Sequence, residues 1–204
     1  MGERMPPSRR QRWARWRHPA SARAMVVGYW LVRHTLQEAG LPAETASQDW
    51  NTNRHGKPRL ADSHLHFSLA HTVQIQACVV DDQPIGVDVE MISEDAVAAV
   101  QTLFGEHEFA ILDEAGPMLH SEATRLWTVK EALVKRDGVG LGQASSDEFG
   151  LHTWQVCNST ASRRWFDHWL SGASSGSHAQ TSLHEGLRTL RVIPASDLRQ
   201  LALG

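Results

Sequence analysis

Two short segments of this sequence combine acidic and basic side chains in a way that could do chemistry. The segment at 85–90 reads Ile-Gly-Val-Asp-Val-Glu, and the segment at 127–135 reads Trp-Thr-Val-Lys-Glu-Ala-Leu-Val-Lys. Mg²⁺ takes oxygen ligands, usually one or two carboxylates together with substrate phosphates. The two segments therefore predict a site that holds a divalent cation against a diphosphate, with lysines offsetting the remaining phosphate charge. Its charged side chains are Asp88, Glu90, Lys130, Glu131 and Lys135.

The elements that position these side chains follow from periodicity. An apolar run at 75–80 and turn-forming residues at 81–84 precede the first segment, so that segment is predicted to be the second strand of a hairpin. Side chains alternate along a strand, which places Asp88 and Glu90 on one face and Ile85, Val87 and Val89 on the core face. Helical spacing places Trp127, Glu131 and Lys135 on one stripe with Lys130 beside it, opposite an apolar stripe of Val129, Ala132 and Leu133.

Each segment alone has an ordinary structural explanation. A Lys-Glu-x-x-x-Lys helix is often a solvated face whose i,i+4 ion pair contributes only ~0.2–0.5 kcal/mol. An Asp-x-Glu on a strand is usually an exposed face. The combination of the two segments carries the functional hypothesis, because short motifs taken singly have a real false-positive risk.

In this order and at nearly this separation, the two segments resemble the signature of the 4′-phosphopantetheinyl transferases, in particular the larger, surfactin-synthetase-activating type. The resemblance extends upstream to Arg-His-Gly-Lys-Pro at 54–58 and to His-Phe-Ser-Leu-Ala-His-Thr at 66–72. These segments look like the family's Gly-Lys-Pro motif and its motif ending in His-Ser or His-Thr. Four motifs in the family's order thus cover roughly residues 50 to 150.

This resemblance implies a specific reaction. Members of the family transfer the phosphopantetheine arm of coenzyme A to a serine of an apo acyl or peptidyl carrier protein and release adenosine 3′,5′-bisphosphate. Mg²⁺ is the implied cofactor and coenzyme A the co-substrate. Carriers of fatty acid, polyketide, peptide and lysine-pathway enzymes all remain open as the partner. Two further functions remain open: a coenzyme A-binding family member with weak or no transferase activity, and another Mg²⁺-dependent phosphohydrolase.

By motif position, the resemblance also implies roles for individual residues. Mg²⁺ on the diphosphate would be bound by Asp88, Glu90 and Glu131, and Glu131 would also be the base for the carrier serine. Lys130 and Lys135 would contact the phosphates and act with Glu131 in catalysis. Contacts near the nucleotide end and its 3′-phosphate are implied for Gly56, Lys57, Pro58, His71 and Arg23.

Two groups of residues have competing interpretations. His64 and His66 alternate along a predicted strand and suggest a zinc pair, but no recognisable third ligand completes the spacing. The N-terminal segment is rich in arginine and tryptophan, a composition found in solvated helices, transit peptides and nucleic-acid-binding segments. The resemblance favours coenzyme A contact by Arg23, ahead of a helix predicted from about Ala22 to Ala39. Gly40 and Pro42 are predicted to end this helix.

The predicted architecture is α+β, with two similar halves related by a pseudo-two-fold and the active site in the cleft between them. Residues 1–94 form the predicted nucleotide-binding half with the first metal carboxylates, and residues 95–204 form the half with the site helix and the carrier-docking side. Helices are predicted near 94–103, 106–114 and 121–136. Strands are predicted near 65–69, 75–80, 85–90, 148–154 and 189–193.

The chain also departs from the family pattern. Only a few residues precede Arg9, where the family usually has a strand. The Ser/Gly-rich stretch at 171–177 is predicted to be flexible, at a place where the family has a strand that pairs back onto the second sheet. For carrier docking, Phe104, Phe109 and Leu119 lie in the expected region, and core packing explains these three residues equally well.

Composition narrows the class of protein. With 204 residues and 41% hydrophobic residues, the chain can build a sizeable core. Its net charge of −3 gives it no overall polyanion-binding character, so no nucleic-acid partner is expected. The two cysteines form no disulfide framework, and no apolar run reaches the ~20 residues that span a bilayer. We therefore expect a cytoplasmic protein without a membrane partner. Because one chain would hold both halves of the site, we also expect a monomer.

Overall fold

The computed structural model describes residues 5–61, 63–140, 160–165, 167–174 and 193–194, and within them runs of helices and runs of strands follow one another. The helices are α1 (Pro7–Arg15), α2 (Pro19–Glu38), α3 (Ala43–Ala46), α4 (Asp95–Leu103), α5 (Glu106–Glu114) and α6 (Leu119–Asp137), with a single 3₁₀ turn at Gly116–Met118. The strands are β1 (Asn51–Thr52), β2 (Pro58–Arg59), β3 (His66–His71), β4 (Ile75–Asp81), β5 (Ile85–Met91), β6 (Thr160–Trp165), β7 (His168–Ser174) and β8 (Ile193–Pro194). This mixture confirms the predicted α+β class.

The described strands form three antiparallel sheets. Their orders are β1-β2, β3-β4-β8 and β5-β7-β6. The second and third sheets share one apolar cluster, in which Ala77 and Val79 of β4 meet Val87 and Val89 of β5 and Leu170 of β7. Burial of these side chains holds the two sheets together, since each buried aliphatic side chain contributes about 1.5–3 kcal/mol.

The predicted hairpin of β4 and β5 is wrong. β4 pairs with β3 and β8, whereas β5 pairs with β7 along its whole length, from Ile85 opposite Ser174 to Met91 opposite His168. The apolar side chains of β4 and β5 pack against each other between the two sheets instead of sharing one sheet edge. A side-chain hydroxyl also satisfies one backbone donor of β5, because Val87 N donates to Ser68 Oγ at 3.1 Å.

The prediction that 171–177 is flexible is wrong for the part that the structure describes. Residues 168–174 form β7, which is hydrogen-bonded on both sides, to β5 and to β6. Small side chains suit this position because α6 packs directly on the strand. The Oγ atoms of Thr128 and Ser171 are 2.8 Å apart, and Ser162 Oγ lies 2.9 Å from Ser171 Oγ. Residues 175–177 lie outside the described residues.

The predicted helices and the first three predicted strands are confirmed, with ends shifted by up to three residues. Gly40 has a φ of 91° just beyond α2, and Gly138 has a φ of 68° at the C-cap of α6. Such left-handed conformations favour glycine and end helices.

The predicted strand at 148–154 lies outside the described residues, as does 189–192. The two halves at 1–94 and 95–204, their pseudo-two-fold and the cleft stay predictions.

Helix α1 is attached to the molecule through Arg9 and through Trp13, which packs against the apolar cluster of Met5, Val26 and Tyr29. The Arg9 guanidinium lies 3.4 Å from the centre of the Trp50 ring, and its Nε is 3.2 Å from Asp49 Oδ1. Ser8 Oγ donates to the other carboxylate oxygen of Asp49. Stacking on an aromatic face and pairing with a carboxylate are both favourable for a guanidinium. Arg9 of the basic N-terminal segment therefore has a structural role.

Across the described ranges, no helix combines the length and the apolar character that crossing a membrane requires.

Candidate active site

A close approach between β5 and α6 positions the two charged segments. Gly86 lies directly beneath the helix, and a Cβ atom at this position would be 1.9 Å from Ala132 O and 2.5 Å from Arg136 N. Only glycine fits such a contact without moving one of the two backbones. Val129, Ala132 and Leu133 are buried, as predicted for the apolar stripe of the helix. The strand and the helix are therefore locked together beside the charged side chains.

Asp88 and Lys135 form the centre of the charged group. Asp88 is 3% exposed, and Lys135 Nζ donates to its Oδ1 at 2.5 Å. The same ammonium lies 3.6 Å from Glu131 Oε2, one helical turn earlier on the predicted stripe. The structure thus brings Asp88, Glu131 and Lys135 together, and the ammonium bridges the two carboxylates.

The carboxylates of this group carry more negative charge than one lysine balances. Burial raises the pKa of Glu90 to about 7, and the charges of Asp88 and Glu131 add to the shift. Burial and the Asp88 charge likewise raise the pKa of Glu131, and burial raises the pKa of Asp88 against the opposing effect of Lys135. The pKa of Lys135 is raised as well, because the neighbouring carboxylates outweigh the effect of its burial. The group would gain from a further positive charge.

These residues fit a divalent cation in donor chemistry and in one detail of geometry. Asp88 Oδ2 is buried and has no hydrogen-bond partner among the described residues. Carboxylate oxygens are the ligands that Mg²⁺ prefers. The part of the chain that the structure describes holds no set of three or more His, Cys, Asp or Glu side chains already spaced as a metal site. In this arrangement the Lys135 ammonium takes the place of a metal cation between Asp88 and Glu131.

A cavity of about 220 Å³ opens beside Lys135. It is bounded by the 55–58 loop, by residues 67–69 of β3 and by the C-terminal end of α6. Four residues to which the family motifs assign contacts lie on its wall, where three consecutive residues of the 55–58 loop meet one residue of α6 that is distant in sequence. These are Gly56, Lys57, Pro58 and Lys135.

Lys57 links this loop to the C-terminal end of α6. Its Nζ donates to Arg136 O at 2.6 Å and to Ile85 O at 3.1 Å, and burial, with the Arg59 charge, lowers its pKa to about 8. A lysine ammonium has three donors, so two backbone contacts leave one for a bound anion. Lys57 therefore supports the end of the site helix and can still face a ligand in the cavity.

Asn53 is a supporting residue that the sequence did not reveal. Its Oδ1 accepts the backbone N–H groups of His55 and Lys57, each at 2.9 Å, and its Nδ2 donates to Gly138 O at 2.8 Å. Asparagine side chains often form turns by accepting a hydrogen bond from the backbone two residues later. This turn preference is the local signal in the sequence that could have indicated Asn53. The link to Gly138 joins residues 85 positions apart and has no local signature.

The structure does not bring Lys130 to the carboxylate group. Lys130 is 2% exposed, its Nζ donates to Leu103 O, and it lies 4.3 Å from the centre of the Phe104 ring. Burial lowers its pKa, and the Glu108 charge opposes that shift. The amino group therefore faces the corner between α4 and α5. The predicted phosphate contact of Lys130 has no geometric support here.

His71 and Arg23 lie outside the cavity wall. His71 is exposed at the end of β3. Burial raises the pKa of Asp88, and the His71 charge is a small effect that opposes this rise. Arg23 is exposed on the second turn of α2. Their predicted contacts with the nucleotide stay predictions.

The part of the chain that carries the charged group also matches a known protein family. A model of the 4′-phosphopantetheinyl transferase superfamily matches residues 84–193, more than half of the chain. The chain belongs to this superfamily. The match includes both charged segments, and the Gly-Lys-Pro and His-Thr segments lie upstream of it.

Several bacterial proteins are similar to this chain. The 4′-phosphopantetheinyl transferase gsp of Aneurinibacillus migulanus is 29% identical over 135 residues, which cover 65% of this chain and 56% of that protein. The 4′-phosphopantetheinyl transferase psf-1 of Bacillus pumilus is 30% identical over 135 residues, or 65% and 57% of the two chains. For the transferase Sfp of Bacillus subtilis (strain 168), the values are 27% over 141 residues, or 66% and 61%. The match thus spans less than two thirds of each relative's length.

Proposed function

We propose that this chain transfers the 4′-phosphopantetheine arm of coenzyme A to a serine of an apo acyl or peptidyl carrier protein. The observation that carries the proposal is the group of Asp88, Glu131 and Lys135, held by a strand and a helix at the edge of a cavity. Phosphoryl transfer depends chiefly on positioning and on neutralisation of charge, and this arrangement supports both. Membership of the superfamily supports the same conclusion.

In the proposed reaction the serine oxygen attacks the phosphorus that bears the pantetheine. A new phosphorus–oxygen bond forms to serine, the bond to the adenosine 3′,5′-bisphosphate oxygen breaks, and the serine proton passes to the Glu131 carboxylate. The raised pKa of Glu131 suits it to accept this proton near neutral pH. Lys135, on the cavity wall, offsets negative charge on the diphosphate.

Asp88, Glu90 and Glu131 would hold the divalent cation. When bound, Mg²⁺ would neutralise diphosphate charge and orient the phosphate groups. Lys57, Gly56 and Pro58 would line the coenzyme A side of the same site, with His71 and Arg23 toward its 3′-phosphate. Lys57 can do so with the donor that its two backbone contacts leave free.

The carrier protein would approach near α5 and the 3₁₀ turn. Phe104 is buried in the core formed by α4, α5 and α6, so the core explanation fits this residue best. Phe109 and Leu119 are half-buried, and Met118 beside them is 46% exposed. We propose that these three apolar side chains contact the carrier protein. We further propose that the active form is a monomer and that it is located in the cytoplasm.

Incubation of the protein with coenzyme A, Mg²⁺ and an apo carrier protein, followed by intact-mass analysis, tests this function. A transferase adds one arm to the carrier serine and releases adenosine 3′,5′-bisphosphate only when the carrier is present. Nucleotide release without a carrier would instead indicate a phosphohydrolase. Coenzyme A binding with neither product would indicate a binding protein, and both of these results would overturn the proposal.

A further inference from the structure

A chain of hydrogen bonds between the β5-β7-β6 sheet and the turn after β3 involves a buried histidine that the proposed transfer does not use. His168, the first residue of β7, is 2% exposed. Its Nδ1 lies 2.7 Å from Asp167 Oδ1, and its Nε2 lies 3.3 Å from Thr72 Oγ1. An ionised carboxylate only accepts hydrogen bonds, so in the neutral ring Nδ1 carries the proton and Nε2 is left to accept. The histidine thus connects two segments of chain.

Thr72 is chemically matched to this arrangement. Its Oγ1 accepts the backbone N–H groups of Gln74 and Ile75 at 3.2 and 3.1 Å, and its own N–H donates to Ile75 O at 2.8 Å. Because the oxygen already accepts two bonds, its hydroxyl proton is available to His168 Nε2. Thr72 therefore closes the turn between β3 and β4 and attaches that turn to β7. His71, the last residue of β3, leads directly into this turn, the His71 turn.

The other side of the link lies at the end of β5. His168 is the partner of Met91 in the β5–β7 pairing, and Ile92 N donates to Asp167 O at 2.7 Å. Glu90 directly precedes Met91 and pairs with Trp169. The histidine thus joins the sheet that carries Asp88 and Glu90 to the turn of the other sheet that carries His71.

We propose that His168 is a positioning residue, which holds the His71 turn at a fixed distance from the carboxylate group through its bond to Thr72. The proposal rests on the proposed function insofar as His71 is taken to contact coenzyme A. Loss of the link frees the turn, so His71 spends less time in the position that favours the bound ligand. The effect falls on coenzyme A binding and not on the chemical step.

A double-mutant cycle with His71 tests this role. His168→Phe fills the buried space but removes both ring nitrogens, whereas His168→Gln keeps an amide that can reach Thr72. We expect His168→Phe to raise the KM for coenzyme A roughly fivefold, the size expected when one ordinary hydrogen bond is lost, with kcat little changed. His168→Gln should recover most of the affinity. In a His71→Ala background, His168→Phe should raise KM no further.

An equal rise of KM in both backgrounds, or no rise in either, would overturn the proposal. If His168→Phe does not fold, Thr72→Val replaces it in the test, because this variant breaks the same hydrogen bond from the side of the turn. Val73→Ala, at the adjacent exposed position, is the control. The hydrogen bond between Thr72 and His168 can also be tested if the protein has no transferase activity. In that case, Thr72→Val and His168→Phe should have non-additive effects on the free energy of unfolding, and additive effects would overturn the hydrogen bond itself.

Discussion

Lys135 donates to the buried Asp88 at 2.5 Å and lies 3.6 Å from Glu131, so a single ammonium serves two carboxylates. Burial, together with the charges of Asp88 and Glu131, raises the pKa of the third carboxylate, Glu90, to about 7. Asp88 Oδ2 is buried without a partner among the described residues. At the scale of single residues, the site is therefore prepared for an additional cation.

Glu131 combines the proposed roles of base and metal ligand, and its amide variant separates them. Glu131→Gln keeps the size of the side chain but removes its charge. We expect kcat to fall by at least ~10²-fold, the lower range for a positioned general base, while the affinity for coenzyme A falls much less. The measurement is steady-state transfer over a range of Mg²⁺ concentrations. Recovery at high Mg²⁺ would identify Glu131 chiefly as a ligand, and unimpaired transfer would refute both roles.

The two lysines of the site helix should differ in effect because their amino groups face different parts of the molecule. Lys135→Met removes the ion pair of Asp88 and should lower kcat by ~10²-fold or more, as for other preorganised charges at a reacting group. Lys130→Met leaves Leu103 O without its donor and should lower the free energy of unfolding by ~1–3 kcal/mol. Transfer assays and denaturant unfolding of both variants check this. A larger loss of kcat for Lys130→Met than for Lys135→Met would contradict these assignments.

The raised pKa of Glu90 makes a prediction for the metal-free protein. The ordinary pKa of this group is 4.5 and the folded value is about 7, so folding favours the protonated form. Its contribution to stability is therefore fully present below pH 4.5 and is lost as the pH rises through 7. Relative to Glu90→Gln, wild-type protein in chelator should lose stability to denaturant over this interval, and Mg²⁺ should reduce the loss. Identical pH profiles for the two proteins would contradict the pKa assignment.

At the scale of elements, the site depends on the contact of β5 with α6. The strand carries Asp88 and Glu90, the helix carries Glu131 and Lys135, and Gly86 sets the distance between the two backbones. Pairing with β7 holds the other edge of β5. The small side chains at 171–174 allow the helix to lie on this sheet. A change in the separation of the strand and the helix would move every charged group of the site.

Gly86→Ala tests that contact. The added Cβ atom would be 1.9 Å from Ala132 O. Because this oxygen belongs to the backbone, the clash cannot be relieved by a change of side-chain rotamer. Overpacking of this kind costs about 1–3 kcal/mol or more, so we expect a clearly lower denaturant midpoint and reduced transfer. Gly105→Ala is the matched control, because its Cβ atom would meet Glu108 Oε2 at an ordinary 3.5 Å. Equal stability of the two variants would show that β5 and α6 are not in close contact.

At the scale of the whole molecule, local patterns predicted the elements but not all of their partners. Alternation along 85–90 correctly placed Ile85, Val87 and Val89 in the core, because burial depends on the face of a strand. The pairing of β5 with β7 was missed, since it joins residues far apart in sequence. A run of serines and glycines has no strand signal without knowledge of the helix that covers it. Lys130 lies between the two stripes of α6, and only the packing of α4 and α5 decides where its amino group goes.

The most direct test of the central claim compares wild-type protein with Asp88→Ala in the transfer of the arm to an apo carrier. Asp88 is the carboxylate that contacts Lys135 most closely, and its Oδ2 has no partner within the part of the chain that the structure describes. The intact mass of the carrier is measured after incubation with coenzyme A and Mg²⁺, and circular dichroism verifies that the variant is folded. We predict that wild-type protein adds one phosphopantetheine arm and that folded Asp88→Ala adds none. A folded Asp88→Ala protein that modifies the carrier as fast as wild type would contradict the account.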